Sequence, residues 1–205
     1  MIYLVFLIPV AVLSALVGAL VYAYRKLPPA HFLLLAATLV LVPTGAWKYH
    51  EHEFLLQAVP DALEVRSIAY RNEESWGFGP GGNEAGIRFY ALPEDVSRQA
   101  ATQGMPYFEK LPANQDQRRR DWRGQYDGWR ETPIRGDDWK VDPATGLLNV
   151  IDYICAYGFC MDIPADRLAQ ANDIVNKPGS FYARGRIGMI VVSPKQRTVL
   201  YFYNG

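Results

Sequence analysis

Two apolar segments without a charged residue dominate the first 47 residues of the chain. The first, residues 2–24, would extend about 34 Å as a helix, which exceeds the bilayer hydrocarbon core of about 30 Å. The second, residues 30–47, would extend about 27 Å as a helix. The short segment between them, residues 25–29, leaves room only for a tight turn. The pattern therefore predicts a transmembrane hairpin over residues 1–48, with helices at about 2–24 and 30–47.

A secretory signal peptide is the alternative interpretation of the first segment. No basic residue precedes Ile2, and the apolar segment is longer than the apolar region of a signal peptide. Residues 20–23 weakly resemble a cleavage site, so this alternative stays open. Cleavage there would still leave the second apolar segment as a membrane anchor.

The distribution of basic residues predicts the orientation of the hairpin. Arg25 and Lys26 are the only charged residues among the first 47. Basic residues beside a membrane helix favour the cytoplasmic side, so the turn at residues 25–29 is predicted to be cytoplasmic. Everything after the hairpin then lies on the opposite side. In a bacterium with two membranes, this describes a multi-pass inner-membrane protein with its C-terminal domain in the periplasm.

Residues 63–205 follow a juxtamembrane connection at 49–62 and show the mixed periodicity of one extracytoplasmic α+β domain. Strands are predicted at residues 63–71 and 86–92, where apolar, β-branched and aromatic side chains recur. Two further apolar runs, at 187–193 and 197–203, are separated by Pro194, Lys195 and Gln196 and predict a hairpin. These strands favour a mostly antiparallel sheet.

Helices are predicted between these strands. Pro93 and two acidic residues open a helix that ends near Gly104. A second helix is predicted over residues 164–176 from its apolar stripe. Asp142 and Pro143 are typical of a third helix start, with Gly158 as its end, although Val150, Ile151, Tyr153 and Ile154 also allow a strand.

Composition restricts the chemistry of the domain. Residues 48–205 carry 19 basic and 21 acidic side chains, a net charge of −2, which argues against a nucleic-acid partner. The three histidines are His31, His50 and His52, so the domain after Glu53 lacks the histidine of a Ser-His-Asp or Cys-His site. His50 and His52 would point apart on a helix, so no metal site is expected there. We predict no catalytic residues, no metal and no cofactor.

The chain has two cysteines, Cys155 and Cys160. In one continuous helix they would be too far apart for a bridge. A turn at Tyr157 and Gly158 would bring Cys160 back, and cysteine pairs outside the cytoplasm usually join. The sequence predicts a structural disulfide, with two buried free thiols as the alternative.

Two segments combine residues that often dominate protein interfaces. The glycine-rich loop at residues 76–84 offers Trp76 and Phe78, but it lacks the following helix and lysine of a phosphate-binding loop. Its simplest interpretation is a connection between two strands. Residues 118–140 interleave tryptophan and arginine, with a net charge of +2. Their candidate anchors are Trp122, Arg123, Trp129 and Arg130. One alternative is a solvated surface whose tryptophans point into the domain core. The other is contact with anionic lipid headgroups.

These features predict a non-enzymatic, membrane-anchored periplasmic protein that contacts the lipid bilayer and binds a protein partner. An immunity-type inhibitor of an incoming toxin, or an accessory subunit of an envelope complex, has this layout. The alternative is an envelope enzyme that acts on glycan through Glu73, Glu74 or Glu84, because paired carboxylates cleave glycosidic bonds. A sensor domain is the third hypothesis.

Overall fold

The computed structural model describes residues 14–15, 17–76, 83–111, 124, 126–136, 139–158, 160–185 and 188–205. The side chains of Trp76, Asn83, Asp127 and Tyr157 are not described. The chain divides into two compact units, Met1–Glu53 and Phe54–Gly205.

Helix α1, Pro29–Leu56, belongs to the N-terminal unit except for its last three residues. This helix is long and apolar enough to cross a membrane, and its most apolar 18-residue stretch has no buried residue. The second predicted membrane helix is thus confirmed as a helix, and it continues nine residues beyond Trp47, to Leu56. Residues 17–26 are also helical, but the first predicted helix lies mostly outside the described residues. The two-helix membrane hairpin therefore stays a prediction.

The second unit contains one six-stranded sheet with strand order β1-β2-β6-β5-β4-β3, in which every neighbouring pair is antiparallel. The predicted α+β class with an antiparallel sheet is confirmed. The strands are β1 Ile68–Trp76, β2 Asn83–Ala91, β3 Asp127–Glu131, β4 Phe181–Arg184, β5 Gly188–Ser193 and β6 Thr198–Asn204.

Helices cover both faces of this sheet. Helix α2 is Glu94–Gln103 and α3 is Met105–Glu109, while α4 is Val150–Ile154 and α5 is Ala165–Asn176. Two 3₁₀ turns, Asp61–Leu63 and Cys155–Tyr157, complete the regular structure of the described residues. One core packs the sheet against α4 and α5, and the other packs it against α2, α3 and residues 58–63.

Burial on both faces explains the sequence pattern of the central hairpin. Every residue of β5 and β6 is buried, so these strands read as continuous apolar runs rather than as alternating ones. Along β6, Leu200 and Phe202 belong to the core under α5, whereas Val199, Tyr201 and Tyr203 belong to the opposite core. The predicted hairpin is confirmed within one residue at each strand boundary.

The helix predicted to start at Asp142 was wrong over its first half. The Asp142 carboxylate accepts a hydrogen bond from Ala144 N at 2.7 Å and closes a turn, so it does not cap a helix. The next residues are held extended by two carboxamides of α5. Asn176 bonds both backbone groups of Leu148, at 2.9 and 2.7 Å, and Asn172 accepts from Val150 N at 2.9 Å. Only Val150–Ile154 and the following 3₁₀ turn are helical.

The first strand also begins later than predicted. Leu63 is fully buried but belongs to a 3₁₀ turn, and Glu64 adopts the left-handed conformation at φ 49°, which interrupts an extended backbone. Strand β1 therefore starts at Ile68 and continues to Trp76. Strands β3 and β4 were missed because each is short and neither shows a clear apolar period.

Two glycines let the strands around Tyr203 approach closely. A Cβ atom on Gly86 would lie 2.7 Å from three atoms of the Tyr203 side chain. A Cβ atom on Gly188 would lie 2.6 Å from the backbone oxygen of Phe202 and from Tyr203 Cβ. The Tyr203 ring therefore occupies the space that a side chain at Gly86 would need, whereas the β6 backbone and Tyr203 Cβ occupy the space beside Gly188.

We expect Gly188→Ala to destabilise the domain by about 1–3 kcal/mol, because the clashing backbone oxygen belongs to a buried central strand. Gly86→Ala should cost less than Gly188→Ala, since the Tyr203 ring is a side chain that can shift. Gly136→Ala is the matched control, because its new Cβ meets Val141 at an ordinary 3.4 Å. Chemical denaturation measures all three variants. Equal stability of Gly188→Ala and Gly136→Ala would contradict the packing.

Candidate functional site

The predicted interface residues are only partly described by the structure. Phe78, Trp122 and Arg123 lie outside the described residues. The backbone of Trp76 ends β1 and pairs with Asn83, so the glycine-rich segment connects two neighbouring antiparallel strands, as its simplest interpretation predicted. Trp129 and Arg130 both lie on β3, at one edge of the sheet.

Trp129 packs within the domain. Its ring centroid lies 4.9 Å from that of Phe108 and 6.2 Å from that of Tyr126, and the side chain is half-buried against the α2–α3 side of the sheet. Phe108 in turn stacks on Phe181 at 4.5 Å. These contacts favour the core interpretation for Trp129, whereas Arg130 is exposed.

A groove of about 570 Å³ lies beside β3 on the same side of the sheet as Trp129. Helix α2 forms one wall, and the turn between β5 and β6 forms the other. Its lining residues are Glu94, Ser97, Arg98, Ala101, Gly104, Met105, Glu131, Gly179, Phe181, Pro194, Lys195 and Arg197. A volume of this size falls within the range of ordinary ligand sites.

The β5–β6 turn is fixed to the start of α2 by three polar contacts. Ser97 Oγ donates to the Pro194 carbonyl oxygen at 2.7 Å, and Leu92 N donates to the Arg197 carbonyl oxygen at 2.9 Å. The Arg197 guanidinium also lies 3.3 Å from the Glu94 carboxylate. These contacts hold both walls of the groove in place.

The second cluster of charge lies on β1, β2 and β6 around Glu73. Arg88 is almost fully buried, and its Nη2 and Nε donate to one carboxylate oxygen of Glu73 at 2.6 and 3.0 Å. The Tyr203 hydroxyl donates to the same oxygen at 2.8 Å, and Arg88 lies over the Tyr203 ring at 5.1 Å. Arg71 approaches the other carboxylate oxygen at 3.7 Å.

These contacts determine the charge state of the cluster. Burial by itself raises the pKa of Glu73, but the Arg88 guanidinium, the hydrogen bonds from Arg88 and Tyr203, and Arg71 together lower it below its ordinary value. Burial raises the pKa of Tyr203 well above its ordinary value, against the opposing effect of Arg88. The cluster is therefore an ionised Glu–Arg pair with a neutral tyrosine.

The carboxylates of the glycan-enzyme hypothesis are not all brought together. Glu73 and Glu74 are consecutive on β1, so they project from opposite faces of the sheet. Glu84 pairs with Ser75 and shares the face of Glu73. A glycosidase also needs one carboxylic acid with a raised pKa, and the pKa of Glu73 is lowered. The geometry does not favour this hypothesis, which stays a prediction.

The two cysteines lie at disulfide distance, as the sequence predicted. Their Sγ atoms are 2.11 Å apart, and their Cα atoms are 4.7 Å apart. The turn that brings them together is the predicted one, since Gly158 adopts the left-handed conformation at φ 89° after the 3₁₀ turn. The bridge joins two residues that follow α4 in the chain, and neither of them lines the groove.

Comparison with protein-family models, with curated proteins and with solved structures finds no match for this chain. Within the described residues, no group of three or more histidine, cysteine, aspartate or glutamate side chains is placed to hold a metal ion.

Sequence reasoning missed the groove. Its charged residues come from α2, β3 and the β5–β6 turn, which are separated by dozens of positions in the chain. Arg98, Lys195 and Arg197 carried no local motif. The only signal near them was the hairpin turn at 194–196, which marks an exposed loop on a buried scaffold.

We expect Trp129→Ala to destabilise the domain by about 2–3 kcal/mol, because the half-buried ring packs on Phe108 and Tyr126. Trp129→Phe should recover part of this loss by keeping a ring in place. Arg130→Ala, the neighbouring exposed change, should stay within about 0.5 kcal/mol of the parent. Chemical denaturation separates these outcomes, and an undiminished stability of Trp129→Ala would instead mark that ring as available to a partner.

Glu73 should contribute to the acid sensitivity of folding. Because its folded-state pKa is lowered, its stabilising effect is present above its ordinary pKa of 4.5 and is lost as the pH falls through the folded-state value. We therefore expect the stability of Glu73→Gln to fall less steeply below about pH 5 than that of the parent. Glu74→Gln removes a carboxylate from the other face as a control. Parallel pH profiles for the parent and Glu73→Gln would contradict the pairing with Arg88.

Proposed function

We propose that this chain is a non-enzymatic, membrane-anchored protein that binds a protein partner at the outer face of a bacterial inner membrane. The distribution of exposed apolar side chains carries the proposal. Among the described residues, the large exposed hydrophobic side chains lie between Val17 and Phe54, with Leu147 as the exception. An exposed apolar surface of this kind needs lipid or protein to cover it.

The polar groups of α1 support lipid as that cover. Thr38 Oγ1 donates to the Leu34 carbonyl oxygen at 2.8 Å, and Thr44 Oγ1 donates to the Val40 carbonyl oxygen at 2.7 Å. Both hydroxyl groups are thus satisfied within the helix, as the hydrocarbon core of a bilayer requires. Trp47 ends the apolar stretch, Tyr49 follows it, and both are exposed, which is typical of side chains at a membrane interface.

A hairpin with a cytoplasmic turn fits the same unit. Tyr24 and Phe32 lie on either side of the turn, and their ring centroids are 5.2 Å apart in an edge-to-face contact. Arg25 and Lys26 lie between them in the sequence, which favours a cytoplasmic turn by the positive-inside rule. The domain would then be exported, and an oxidising compartment suits the cysteine pair at disulfide distance.

Binding, rather than catalysis, is supported by how the domain uses its charged groups. The largely buried ion pair of Glu73 with Arg88 is hydrogen-bonded to Tyr203 on one face of the sheet. The groove beside β3 is open and charged, and it is built on a fixed scaffold. An inhibitor of a toxin arriving from outside, or an accessory subunit of an envelope complex, would present such a surface at the membrane.

One crosslinking experiment tests both the location and the binding. Lys110, Lys140, Lys177 and Lys195 are exposed, so they can react with an amine-directed crosslinker. We would apply a membrane-impermeant crosslinker to cells whose outer membrane alone is opened. The proposal predicts a discrete crosslinked adduct of the full chain, and mass spectrometry identifies the protein joined to it.

The controls separate the two parts of the proposal. A cytoplasmic marker protein must remain unmodified, which establishes that the inner membrane is intact. Adducts that form only after the inner membrane is lysed would show that the predicted orientation is wrong. Lysine modification by a monofunctional reagent without any protein adduct would leave the location standing and overturn the binding function.

A further inference from the structure

We propose that the groove between α2 and the β5–β6 turn is the docking site for an acidic peptide segment of the protein partner. This inference rests on the proposed function, because it names the surface and the chemistry of that binding. The groove differs from the predicted aromatic anchors, of which Trp129 packs within the domain.

The base of the groove is apolar and well supported. Phe181 is buried there at 6% exposure, and its ring stacks on Phe108, which packs against Trp129. Ala101 and Met105 add apolar surface from the end of α2 and the start of α3. A ligand held there must therefore bring an apolar side chain, which distinguishes a peptide from a simple inorganic anion.

The rim of the groove carries a net positive charge. Its five charged side chains are three cations, Arg98, Lys195 and Arg197, and two acids, Glu94 and Glu131, which leaves a net charge of +1. The Glu94 carboxylate is shared by two of the cations, with Arg98 at 3.1 Å and Arg197 at 3.3 Å. This one carboxylate leaves each guanidinium with N–H donors to spare, and guanidinium groups bind carboxylates through two parallel hydrogen bonds.

Lys195 provides the remaining positive charge. It lies at the tip of the β5–β6 turn, is exposed, and forms no ion pair with any residue that the structure describes. Its turn is fixed to α2 through Ser97 and through Glu94. The backbone that carries Lys195 and Arg197 is therefore fixed before a ligand arrives, which lowers the ordering cost of binding.

Charge complementarity selects an acidic segment as the occupant. A peptide with two or more carboxylates can meet Lys195 and the free N–H groups of Arg98 and Arg197, with an apolar side chain over Phe181. The acid Glu131, on the β3 side, would repel a carboxylate placed next to it. The acidic residues are thus expected along the α2 and turn walls.

Selection from a random seven-residue peptide library displayed on phage tests this inference on the detergent-solubilised full chain. The expected result is enrichment of sequences with at least two Asp or Glu residues and one apolar residue. An enriched peptide is then synthesised with a fluorescent label, and its affinity is measured by anisotropy. We expect Lys195→Glu to weaken its binding by about tenfold or more, because reversal turns an attraction into a repulsion.

Lys140→Glu is the matched control, since Lys140 is an exposed lysine outside the groove. Its affinity for the peptide should stay within about twofold of the parent. No enrichment, enrichment of neutral or basic sequences, or equal weakening by Lys195→Glu and Lys140→Glu would each overturn the groove assignment. A partner that crosslinks equally to the parent and to Arg197→Glu would overturn the groove while leaving the proposed function standing. Absence of any crosslinked partner would instead remove the function on which the inference rests.

Discussion

Burial of the β5–β6 hairpin on both faces is the constraint on which the rest of the domain depends. All residues of both strands are buried, so each face of the sheet must be covered by separate elements. Helices α4 and α5 cover one face, and α2, α3 and residues 58–63 cover the other. The turn of this hairpin is therefore carried by two fully buried strands.

Because both faces are covered, a polar group near the sheet that lacks a hydrogen-bond partner costs about 1–3 kcal/mol. The buried Arg88 guanidinium contacts the Glu73 carboxylate, the Tyr203 hydroxyl and the face of the Tyr203 ring. The side-chain oxygens of Asn176 and Asn172 accept hydrogen bonds from the extended backbone at residues 148–150. The same requirement explains why these polar residues interrupt otherwise apolar surroundings.

The parts of the fold that local pattern could predict are those with a strong local cause. The hairpin of β5 and β6, the α2 and α5 helices, and the turn at Gly158 follow from apolar runs, proline and glycine positions. The segment after Asp142 was predicted as a helix, because its extended form depends on carboxamides of α5 lying 22 to 28 residues away. The groove was missed for the same reason, since its charges meet only after the hairpin turn docks on α2.

An aromatic residue in this chain can be interpreted either as an anchor for a partner or as part of the domain core. Trp129 was predicted as a partner anchor, yet its contacts with Phe108 and Tyr126 support the α2–α3 core. That core in turn holds Phe181 at the base of the groove, and the β5–β6 turn supplies the charged wall. An aromatic side chain can thus act indirectly, by fixing the scaffold that places exposed charged side chains. Residue type alone does not distinguish these roles, because both depend on what lies against the ring.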